Sequence, residues 1–154
     1  MSQDNALLEE TLAATRRGRE VIMASVAVAL TGALFLMQAL QFYAFYRMYW
    51  SYRMAPHVLL VVGVALLAIG SRLYSQRVWA AIAAAALSGV AALLMGAWYV
   101  VMVVLGPMRV NPLTALLPFA AAAAALLAGL AIAPCKRTEA ALRRAAAAGL
   151  DLDL

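Results

Sequence analysis

From Val21 to Thr138 this chain carries no carboxylate side chain; its seven acids are Asp4, Glu9, Glu10, Glu20, Glu139, Asp151 and Asp153. A domain folded in water needs charge spread over every surface element, and this stretch cannot supply it. Of the 154 residues, 67% are hydrophobic and 12% charged. Ordinary soluble domains are about half apolar and about a quarter charged, so part of the solvent here must be lipid. The same gap excludes chemistry. Carboxylate metal sites, aspartyl nucleophiles, paired-carboxylate hydrolysis and acidic proton relays cannot be built in a membrane region from this chain alone.

A spanning helix needs roughly 20 apolar residues at about 1.5 Å per residue. Four runs qualify, at about 21–43, 54–71, 78–105 and 113–133. Pro56 suits a first helical turn, where its missing N–H would be unpaired anyway. Arg72 can snorkel at the other end of that run. Gly106-Pro107 closes the third run, Asn111-Pro112 opens the fourth, and Pro118 is a kink point inside it. Residues 134–154 read as a tail in which Thr138 caps a short helix through Ala148 and Gly149 stops it. The closing Leu150 to Leu154 alternates as an added strand would, although such termini commonly fray.

The flanks set the orientation. Arg16, Arg17, Arg19, Arg72, Arg77, Lys136, Arg137, Arg143 and Arg144 fall on one side, and Arg47, Arg53 and Arg109 on the other. Nine against three predicts both termini in the cytoplasm. Residues 1–20 mix four acids with three arginines, unlike a cleavable signal, so the first span is retained. They read as an amphipathic helix continuing into that span, with Leu7, Leu8, Thr11, Leu12 and Thr15 along one side. This face could lie on the membrane, pack on the C-terminal helix or bind a cytoplasmic partner. Short connections predict antiparallel neighbours. The expected fold is therefore an all-α integral membrane protein, with four transmembrane helices in an up-down antiparallel bundle.

Small residues point to packing faces, because lipid supplies little hydrophobic drive between helices. Ala80, Ala84, Ser88, Ala92 and Gly96 repeat every fourth residue on the third run, as do Ala121, Ala125, Gly129 and Ala133 on the fourth. Tight packing of these two helices is expected, either within one chain or against a partner. Gly63 and Gly70, seven apart, are packing positions on the second.

Thr31, Gln38 and Gln41 share one face of the first span. They suit either hydrogen-bonding between helices or the lining of a wet path. Near the outer end, Phe42, Tyr43, Phe45, Tyr46, Tyr49, Trp50 and Tyr52 put seven aromatics in eleven positions, with Arg47 and Arg53 among them. Such a segment is either an aromatic belt at headgroup level or a docking surface for a protein or an anionic lipid.

Cys135 is the only cysteine and His57 the only histidine. No four-ligand zinc site or bis-histidine haem site follows, and there is no phosphate-binding glycine loop, nucleophile elbow or Cys-x-x-Cys. No cofactor is expected, and a net charge of +5 is read as membrane-side charge rather than nucleic-acid binding. Eleven arginines against a single lysine, with abundant alanine, fit a GC-rich bacterial source and hence an inner membrane.

The sequence therefore predicts a non-enzymatic subunit of a larger membrane assembly, made of identical or different chains and surrounded by membrane lipid. The alternative is a homo-oligomeric channel lined by Thr31, Gln38 and Gln41. A lipid-acting enzyme would have only tyrosines, arginines and His57 at the outer interface, with no carboxylate to orient them. Ion-coupled transport would need carboxylates from a partner.

Overall fold

The computed structural model describes residues 9–13, 18–45, 54–105 and 112–148. Four helices dominate: α1 (Arg19–Phe45), α2 (Met54–Tyr74), α3 (Val78–Leu105) and α4 (Pro112–Ala147). All four are long and apolar enough to cross a membrane, and no strand occurs among the described residues. The 21 residues of α2 reach about 30 Å, roughly one hydrocarbon thickness, whereas the 36 of α4 reach about 54 Å and must project beyond it.

Local chemistry sets the helix ends. The Gly18 carbonyl accepts from the amides of Val21 and Ile22 at 3.1 and 3.3 Å, so Gly18 caps α1, and Glu20 lies in its first turn, where a negative charge is favoured. Gly18 itself is not helical, so the helical segment at 9–13 does not continue unbroken into α1 as its sequence suggested. Glycine is costly inside a helix and well suited to its edge. At the far end of α2, Ser71 and Ser75 donate to the Ala68 and Arg72 carbonyls at 2.7 and 2.8 Å. Gln76 then turns the chain with a left-handed φ of 58°, and the Arg77 carbonyl starts α3 by accepting from Ala80 and Ala81.

The chain does not break at Pro134. α4 runs through both Pro118 and Pro134, and Thr138, instead of capping a separate helix, donates to the Pro134 carbonyl at 3.2 Å. A proline removes one helical donor, and a helix held on both sides by packing tolerates that loss. The packing is evident: Cys135, Thr138, Ala141 and Ala145 are all buried beyond the apolar part of α4.

α1 packs on α2 and α4, α3 packs on α4, and a thinner α2–α3 contact closes the ring. Only a few large side chains are fully buried, among them Phe35, Leu66, Leu73 and Leu117. Alanines on α3 and α4 form most of the remaining core. Leu30, Leu40, Val61, Leu93, Phe119, Leu126 and Leu130 point outward and exposed. In water such an apolar exterior would drive aggregation; in hydrocarbon it is the natural surface.

Candidate functional site

α1 and α2 approach each other closely at their glycines. A Cβ placed on Gly32 would lie 2.8 Å from the Gly63 carbonyl oxygen, and one on Gly63 would lie 2.9 Å from that of Gly32. Seven residues along each helix, Ser25 donates to the Gly70 carbonyl at 2.8 Å. Small residues spaced by seven on both helices therefore meet in register, Ser25 with Gly70 and Gly32 with Gly63. The signal was in the sequence: seven residues turn a helix by nearly two full revolutions, leaving a drift of only about 20°, so the pairs stay on one face. The sequence pattern predicts Gly63 and Gly70 as packing positions, and the structure adds Ser25 and Gly32 as their partners.

Four-residue spacing behaves differently, because each step drifts about 40° round the helix. On α3, Ala84 and Ser88 are buried while Ala92 and Gly96 are half-buried, and a Cβ on Gly96 would be 4.0 Å from Pro118 of α4. On α4, Ala121 is buried, Ala125 half-buried, and Gly129 and Ala133 exposed. The buried stripe of α4 follows Ala121, Ala124, Ala128, Ala131 and Cys135 instead, alternating steps of three and four. Gly129 faces open space, with nothing of this chain within 4 Å of where a Cβ would stand.

The polar face of α1 turns inward. Thr31 is buried and shares its hydroxyl proton between the Ala27 carbonyl at 2.8 Å and, across the α1–α4 contact, the Ala120 carbonyl at 3.2 Å. Gln38 is also buried, and its carbonyl oxygen meets no donor; the Ser88 hydroxyl is likewise buried and unpartnered. Gln41 is half-buried. Thr31 and Gln38 thus face the interior of a single chain.

Where the end of α1 meets the start of α2, Tyr43 and His57 lie edge to face, with the Tyr43 hydroxyl 2.5 Å from His57 Nδ1. For a neutral imidazole the phenol donates and the ring proton sits on Nε2. Phe42 packs against the core, and Phe45 ends α1. Tyr46, Arg47, Tyr49, Trp50, Tyr52 and Arg53 lie outside the described residues.

The opposite end is basic. Arg144 of α4 pairs with Glu10 at 3.4 Å, and Thr11 is buried, so the helical segment at 9–13 packs against the projecting end of α4. Glu139 reaches from α4 to the start of α3, where its Oε1 accepts from the Val78 amide at 3.0 Å. This is a cap supplied across the fold, from 61 residues away, which helix-local capping rules do not reveal. Among the described residues there is no group of three His, Cys, Asp or Glu side chains able to hold a metal.

Fold and site together define a class: a multi-pass helical membrane protein whose internal contacts are made by small residues and a few shared hydroxyls. No protein-family model, curated protein or solved structure matches the chain.

Proposed function

We propose that this chain is a non-enzymatic subunit of an oligomeric membrane assembly, through an interface that includes the outer face of α4. Ala125, Gly129 and Ala133 carry the proposal. The stripe rotates out of the core, and Gly129 presents bare backbone where nothing of this chain needs it. A lipid-facing helix gains nothing from glycine, which costs about 1 kcal/mol of helix stability relative to alanine. A helix from another chain does gain, because small residues permit close backbone approach and interhelical contact. The burial of Thr31 and Gln38 within one chain favours this reading over a pore lined by α1 between copies.

The assembly unit is an up-down antiparallel bundle in a bacterial inner membrane, with both termini cytoplasmic. Paired contacts support the direction of the helices: Ser25 with Gly70, Gly32 with Gly63 and Tyr43 with His57 ascend on α1 and descend on α2. Orientation rests on the lysine and arginine asymmetry of the flanks. The aromatic segment after α1 gives the assembly a second, outward docking surface of aromatic and arginine anchors.

The test is the particle mass in nanodiscs, with co-purifying proteins identified from the same sample. The expected result is a particle heavier than one chain, reduced to one chain by Gly129→Leu while Cys135 remains protected from thiol reagents. A wild-type particle of one chain with no co-purifying subunit would overturn the proposal.

A further inference from the structure

Among the described residues, the basic end of the bundle carries more cations than carboxylates. Among the described residues the sole ion pair is Arg144 with Glu10. Arg72, at the end of α2, and Arg77, at the start of α3, are exposed and have no carboxylate partner among the described residues. At the same turn, Glu139 uses one carboxylate oxygen to accept from the Val78 amide. That contact also fixes the geometry. It brings α4 against the start of α3, and Lys136 and Arg143, three residues before and four after Glu139, share its helix face. Both are exposed. Tyr74 and Trp79 flank the same turn, 44% and 55% exposed. Tyrosine and tryptophan prefer the boundary between hydrocarbon and headgroups, so they set the cations at this turn at the depth of lipid phosphates.

We propose that the α2–α3 turn and the facing side of α4 form a binding site for the phosphate of an anionic phospholipid. Arg72, Arg77, Lys136 and Arg143 contact the headgroup, and the acyl chains run along the apolar exterior beside Trp79. The arginines suit a phosphodiester because a planar guanidinium donates two hydrogen bonds to one phosphate. The site does not depend on whether the chain assembles with others, so it stands or falls apart from the subunit proposal.

The experiment uses the full chain purified in neutral detergent and offered phosphatidylglycerol or phosphatidylcholine of identical acyl chains. Native mass spectrometry reads retention and the melting temperature reads stabilisation. The expected result is retention of phosphatidylglycerol alone, falling as salt rises. Arg77→Gln and Lys136→Gln should each weaken it about fivefold, the value of one cation at a membrane surface. Arg144→Gln removes the same charge on another side of α4 and should leave retention unchanged. Because Arg77 also starts a helix, Lys136→Gln carries the test if Arg77→Gln loses its melting transition. Equal retention of phosphatidylcholine, or an equal loss in Arg144→Gln, would overturn the site. So would stabilisation by inorganic phosphate that matches that of phosphatidylglycerol.

Discussion

Replacing Gly32 with alanine puts a methyl carbon where two helix backbones already touch. It would lie 2.8 Å from the Gly63 carbonyl oxygen, 3.0 Å from the Leu67 amide nitrogen and 3.1 Å from Leu66 Cβ, where ordinary contact begins at 3.4 Å. Two of these three atoms are backbone and the third is fixed to it, so no side chain can rotate away. α1 and α2 must separate by about half an ångström, straining the 2.8 Å bond from Ser25 to Gly70 one heptad away. Overpacking of this kind costs about 1–3 kcal/mol, against a gain of about 0.5–1 kcal/mol from alanine's better helix propensity. The net loss of roughly 1–2 kcal/mol corresponds to a fall of about 2–8 °C in a chain of this size. Gly63→Ala should behave similarly, and the double variant should cost less than the two together, since one separation accommodates both methyls. Gly89→Ala is the control, because its Cβ would meet nothing within 4 Å and should be neutral or stabilising. The assay is the apparent melting temperature in detergent, followed by tryptophan fluorescence. A Gly32→Ala variant that melts at or above wild type would refute the close-contact argument.

Gln38→Leu should raise the melting temperature by the equivalent of about 1 kcal/mol or more, because it removes a buried carbonyl oxygen that meets no donor. A fall would mean that Gln38 accepts a bond in the assembled protein, and a change in ion conductance would revive the pore reading. Glu139→Ala should cost about 0.5–2 kcal/mol by uncapping Val78, measurable as faster hydrogen exchange in the first turn of α3; unchanged exchange there would contradict the cap. Cys135 is fully buried, so maleimide should label the folded protein far more slowly than the protein in denaturing detergent, and rapid labelling of the native state would mean that α4 is not seated as described.

Helix faces were much less legible than helix positions. In a soluble protein, the boundary between apolar and polar residues marks the buried side of a helix. Lipid erases that boundary, since Leu126 and Leu130 on the exposed side of α4 are as apolar as Leu117 on its buried side. Residue size then remains as the guide, and alanine is too common here to discriminate. The expected α4 stripe of Ala121, Ala125, Gly129 and Ala133 begins buried and ends exposed, because a four-residue repeat winds round the helix. The functional consequence of that winding, an outward glycine, could be seen only once the core was placed.

The sequence alone determined the number of apolar helices and where each apolar run lies, because crossing hydrocarbon requires unbroken runs of about 20 apolar residues. It also determined the absence of acidic chemistry between Val21 and Thr138. Only the tertiary structure decided that Gly32 meets Gly63, that Glu139 caps a helix 61 residues away, and that α4 continues through Pro134. These outcomes depend on which backbones approach closely enough to exchange hydrogen bonds or exclude a methyl group. That proximity is a property of the assembled bundle, and no single helix encodes it.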